Sequence, residues 1–189
     1  MALTKEMHGT NVFRTIFFMP NLIGGIVLGY IWQLIFNGVL SRYGTALALN
    51  EWYGFWGLII LVSWQQIGYM MIIYIAGLQA VPEDMLEAAR IDGASPLQQF
   101  VHLTIPLLKP TILLTAIMST SGTLQLFDES VNLTAGGPGK ATMTLTHYIY
   151  NISFVETPKF NYAAALSVFI LVVVAVLSAI QMKVGDKRD

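Results

Sequence analysis

From Tyr162 to Met182 the chain reads YAAALSVFILVVVAVLSAIQM, without one charged residue. A bilayer core about 30 Å thick is crossed by a helix of roughly 20 such residues. In lipid, every backbone N–H and C=O needs a partner inside the protein, and a helix supplies these within one segment. Three further stretches follow the same pattern. VFRTIFFMPNLIGGIVLGYIWQLIF runs from about Val12 to Phe36, and FWGLIILVSWQQIGYMMIIYIAGL from about Phe55 to Leu78. The third, about Leu107 to Phe127, is less apolar and carries TSGTLQ near its end. The expected fold is an all-α membrane protein with four transmembrane helices, a single domain over residues 1–189. Pro20, Gly24, Gly25 and Gly29 lie inside the first span, where they serve a kink or close helix packing.

Composition agrees. Charged residues make up 11% of the chain, against about 25% in an ordinary soluble domain. The net charge of -1 gives nucleic acid nothing to bind, and the absence of cysteine removes disulfides and thiolate chemistry. The opening MALTKEMHGTNVFR has polar residues where a signal peptide needs an apolar stretch. Orientation follows from Lys and Arg in the loops. One side holds Lys5, Arg14, Arg90, Lys109, Lys183, Lys187 and Arg188; the other holds Arg42, Lys140 and Lys159. The richer side is expected to be cytoplasmic, and it includes the loop between the second and third spans.

That loop, residues 82–106, carries the densest local signals. Pro82 suits a first helical position, and Glu83 and Asp84 follow it where the helix dipole favours acids. A short helix is expected through Ile91, with Met85, Ala88 and Ala89 on one face. Asp92-Gly93 ends it, since glycine accepts a left-handed cap. Ser95-Pro96-Leu97-Gln98 reads as a capping box that starts a second helix. Pro106 and Pro110 then interrupt the return to the membrane. A helix–turn–helix this fully capped is better suited to docking a cytoplasmic partner than to tethering two spans.

No motif for chemistry accompanies it. GGPGKAT at 136–142 fails the phosphate-loop pattern, with Thr at 134 and Ala at 141. His8, His102 and His147 have no metal-ligand spacing, and no serine sits in a nucleophile elbow. No catalytic residue, metal site or cofactor is expected, and the chain is not expected to be an enzyme. Polar side chains at membrane depth usually face a protein interior or a wet cavity. Here they are Ser63, Gln65, Gln66 and Tyr69 in the second span, and Ser119, Thr123 and Gln125 in the third, with Gly122 making room. Amides and hydroxyls both donate and accept, which suits a hydroxyl-bearing solute, and Trp64 or Tyr69 could stack on its apolar face. The same groups could equally tie helices together.

The pattern Glu87-Ala88-Ala89, Gly93 and Leu103-Thr104-Ile105-Pro106 resembles the EAA loop of permease subunits in binding-protein-dependent ABC importers. It departs in ending Leu-x-Ile-Pro, where the family usually has Ile-x-Leu-Pro. FRTIFFMPNLIGG, WQQIGYMMIIYIAGLQAVPEDMLEAARIDGAS and FDESVNLTAGGP resemble the carbohydrate-uptake branch. The resemblance implies several things. Glu87, Ala88, Ala89, Asp92 and Gly93 would dock an ATPase subunit. ATP would be hydrolysed in that partner. A second permease and an extracytoplasmic solute-binding protein would complete the importer, in a bacterial cytoplasmic (inner) membrane. The substrate, a mono- or oligosaccharide, would pass between the spans flanking the loop. Such permeases have six core helices, so the first two are expected to be missing here. The alternatives are an ion-coupled secondary transporter or channel, and a non-transporting permease remnant. The first needs ionisable residues within the spans, and the spans hold almost none beyond Arg14.

Overall fold

A computed structural model describes residues 10–186. All regular structure among the described residues is helical. Two helices are long and apolar enough to cross a membrane unbroken: α3, Glu51–Gln79, and α10, Phe160–Asp186. Helix α3 starts where Asn50 accepts a hydrogen bond from the Trp52 amide at 2.9 Å. In α10 only 6% of the most apolar window is buried, so this helix offers its surface to lipid or to other chains.

The other two expected spans are bent. The first is two helices, α1 (Thr10–Leu22) and α2 (Gly25–Leu40), meeting at 114°. Pro20 has no N–H to continue the ladder. The chain turns three residues later, where the Ile23 amide donates to the Pro20 carbonyl, and Gly24 is extended at φ -58, ψ 142. The third expected span is α7, Lys109–Leu124, whose 16 residues cover only about 24 Å. It meets the preceding helical run, Pro96–Leu107, at 60°. That run comprises α5 (Pro96–Gln99), a π turn (Phe100–Thr104) and α6 (Ile105–Leu107). Pro106 therefore sits within helical structure, and the interruption falls at Leu108. Lys5, Lys187 and Arg188, on which the orientation partly rests, lie outside the described residues.

Two short helices, α8 (Asp128–Thr134) and α9 (Leu145–Tyr150), fold between α7 and α10. Helix α8 lies against α2 closely enough that a Cβ at Gly25 would meet Asp128 Cβ at 2.8 Å, and one at Gly29 would meet Asn132 Cβ at 2.9 Å. Helix α1 crosses α3 at Gly68, where a side chain would overlap the Phe17 carbonyl oxygen. The apolar centre is Leu28, Leu47, Leu58, Leu61 and Leu133, with Trp32, Phe36 and Trp64 against it. Helix α7 is tied to α3 by a 2.9 Å Tyr74–Thr115 hydroxyl bond, and to α10 by Gln181 donating to Thr120 at 2.8 Å.

Candidate functional site: a polar cleft and an exposed loop

Five segments meet around a cleft of about 440 Å³. Helix α3 contributes Gln65, Gln66 and Tyr69, and α7 contributes Gly122. Gln125, Leu126 and Phe127 come from the junction after α7, Asp128 and Glu129 from the first turn of α8, and Asn21 from α1. The sequence-expected Gln65, Gln66, Tyr69 and Gln125 are thus brought together. Ser119 and Thr123 are not among the lining residues. Thr123 is exposed, and its hydroxyl donates to the Ser119 carbonyl of its own helix at 2.8 Å. Ser63 is exposed away from the cleft. Trp64 turns into the core, edge-on to Trp32 at 5.3 Å, which leaves Tyr69 as the aromatic side chain of the α3 face in the cleft.

Sequence reasoning missed Asn21, Asp128 and Glu129. The Asn21 amide donates to the Gln65 backbone carbonyl at 3.2 Å and fixes α1 at the cleft wall. Glu129 is 7% exposed. Burial pushes its carboxyl above the ordinary carboxylate value, and the Asp128 charge adds to this; its own backbone N–H and the Gln65 side chain pull the other way. The signal was present in FDESVNLTAGGP, an acidic pair beside an apolar span. Its meeting with Gln65 is a tertiary event.

The 82–106 loop has the expected local form. Helix α4 runs Glu83–Ile91, with Pro82 one position earlier than expected, as its N-cap. Gly93 has φ +81. The Ala94 amide donates to the Ala89 carbonyl at 2.9 Å and the Gly93 amide to Arg90 at 3.1 Å, a Schellman closure. In the capping box, the Ser95 amide donates to Gln98 Oε1 at 2.8 Å and the Gln98 amide to Ser95 Oγ at 3.4 Å. Gln99 is buried and donates to the Ala94 carbonyl at 2.8 Å, which braces the turn. No residue of α4 is buried. Glu87, Ala88, Asp92 and Gly93 are exposed and Ala89 is half-buried, while Ile91 and Leu97 are 87% and 71% exposed.

A buried polar cluster organises the 134–147 segment. Ser130 Oγ donates to the Thr142 carbonyl at 2.6 Å and lies 2.8 Å from His147 Nδ1. The serine has one proton, and the carbonyl takes it, so His147 donates through Nδ1–H. This is the reverse of nucleophile activation, and the pair is structural. The Thr134 and Thr142 hydroxyls also bond to each other. GGPGKAT forms a turn with Gly136 and Gly139 at positive φ, and Lys140 lies over the Tyr148 ring at 5.5 Å. Among the described residues, no group of His, Asp or Glu could hold a metal ion.

Fold and cleft define a helical membrane protein with a polar cleft among its helices. The chain belongs to the family described as binding-protein-dependent transport system inner membrane component, whose model matches residues 7–188. It is 39% identical over 197 residues to a probable starch degradation products transport system permease protein, AmyD, of Thermoanaerobacterium thermosulfurigenes. It is 41% identical over 201 residues to the lactose transport system permease protein LacF of Rhizobium radiobacter. Each match takes in 100% of this chain and 67% of the relative, so the chain spans about two thirds of their length. A crystal structure of a bacterial ABC transporter involved in import of the acidic polysaccharide alginate shares the fold. Its TM-score is 0.80 at 20% identity, over 97% of this chain and 68% of that one. Family membership sets aside the channel and ion-coupled readings.

Proposed function

We propose that this chain is a permease subunit lining the path of a saccharide through an ATP-driven importer. The observation that carries the proposal is the cleft. Amides and a phenol from separate helices converge there, and each amide can donate to and accept from a sugar hydroxyl. Relatives named for starch products and lactose support the substrate class. The loop at 82–106 is the proposed docking element for an ATPase subunit. Glu87 would pair with a basic residue there, Ala88 and Ala89 would allow close approach, and Asp92-Gly93 would set the bend. A second permease and an external solute-binding protein would complete the machine.

The two features are mechanically connected. Gln65 lies 14 residues before the end of α3 at Gln79, and Gln125 directly follows α7, which meets the helical run Pro96–Leu107 at the end of the loop at 60°. Each path is about 20–25 Å of helix. Movement of the docked loop by the ATPase would therefore reach both walls of the cleft, which is what alternating access requires.

Gln65→Leu and Gln66→Leu, made separately in the complete transporter, test the path. Adjacent helical residues point about 100° apart, so a narrow helix contact cannot centre on both. A lost sugar hydrogen bond costs on the order of 0.5–1.5 kcal/mol, a few-fold to roughly tenfold in apparent affinity. Uptake normalised to assembled complex should fall for both variants. An unchanged normalised rate for both removes these glutamines from the path.

A further inference from the structure

Two carboxyl groups line the cleft. Asp128 and Glu129 stand there beside Gln65, and among the described residues no Lys, Arg or His does. Both carboxyls occupy the first turn of α8. Glu129 is held in place by the close fit of α8 on α2. A Cβ at Gly25 would come within 3.1 Å of Glu129 Oε1 and 3.0 Å of Asp128 Oδ2, so the acidic pair has no room to swing away on that side.

We infer that the cleft selects uncharged saccharides and rejects sugars bearing carboxylate or phosphate, with Glu129 and Asp128 as the discriminating groups. This rests on the carbohydrate reading above and adds a substrate class to it. A carboxylate accepts from hydroxyl donors, and a neutral sugar ring is rich in them. An anionic sugar brings like charge to a partly desolvated site, where repulsion is screened less than in water. The neighbouring amides can accommodate either kind of sugar, so the sign of the discrimination comes from the acidic pair.

Binding to the permease itself tests the inference, because a solute-binding protein would apply its own filter first. The complete importer in nanodiscs, without binding protein, is titrated at pH 8 by saturation-transfer NMR. The probes are maltose and lactose, each against its counterpart with the non-reducing ring's CH₂OH oxidised to carboxylate. At least one neutral sugar should bind at least tenfold more tightly than its uronate. Glu129→Gln should narrow that ratio at least threefold, whatever it does to the neutral sugar alone. Asp128→Asn, at a half-buried position, provides the same readout should the first variant not assemble. Equal affinities in the wild type, or a ratio unchanged in every variant that assembles, overturn the inference. Binding of no sugar of either kind overturns the carbohydrate reading instead.

Discussion

The turn at Gly93 isolates a single physical variable. Its φ is +81, and a Cβ built there meets nothing within 4 Å. An alanine Cβ therefore creates no clash, and Gly93→Ala changes chiefly the cost of the left-handed conformation, whereas proline also removes the amide that donates to the Arg90 carbonyl. For an L-residue that cost is roughly 1–2 kcal/mol, and asparagine bears it most easily. Since about 1.4 kcal/mol is tenfold in an equilibrium constant, Gly93→Ala should reduce the population of the bent loop about 5- to 30-fold relative to straightened forms. Gly93→Asn should reduce it less, and Gly93→Val and Gly93→Pro more, because branching and a fixed negative φ oppose this conformation further. No residue of α4 is buried, so membrane insertion should be the same in all four. Substrate-stimulated ATPase activity of the complete importer, normalised to inserted protein, should rank Gly, Asn, Ala, then Val and Pro. Equal activity across the series would refute the bend's role in coupling. Falling insertion in the same order would show that the turn serves folding instead.

His147 supplies a pH test. Burial holds its imidazole below the ordinary value, so the folded state keeps it neutral while the unfolded chain takes a proton near about pH 6.5. Its contribution to stability is full above that pH and is lost as pH falls through and below it. The thermal-stability gap between wild type and His147→Gln in detergent should shrink from pH 7.5 to pH 5; a constant gap would contradict the buried neutral assignment. For topology, Gln98→Cys should label only from the cytoplasm and Ala141→Cys only from outside, and labelling of both from one face would refute the orientation read from Lys and Arg.

What the sequence made legible was local. Residues 83–98 specify their own helix, cap and restart through contacts no more than five residues apart, and the structure has these to within a residue. The unbroken helices α3 and α10 were equally readable, since length and apolarity need no partner to be recognised. The cleft was half legible. A polar residue in a span announces a need for a partner without naming it. Thr123 satisfies that need with its own i-4 carbonyl, and neither it nor Ser119 is among the residues lining this cleft. Gln65 faces an acid 64 positions later in the chain, and no periodicity encodes that.

The break in the first expected span shows why a periodic reading failed there. On one straight helix, Asn21, Gly25 and Gly29 would share a face at i, i+4 and i+8, and that face would meet a single partner. The bend at Ile23–Gly24 divides it. Asn21 stays on α3, bonded to the Gln65 carbonyl, while Gly25 and Gly29 receive α8 at Asp128 and Asn132. Both contacts end at the same cleft, one bringing its amide wall and the other its acidic wall. A straight helix long enough for the membrane could not have placed both there. The glycines that looked like packing residues for one neighbour fit a second, and the proline and extended glycine between them let the chain turn from α3 to α8.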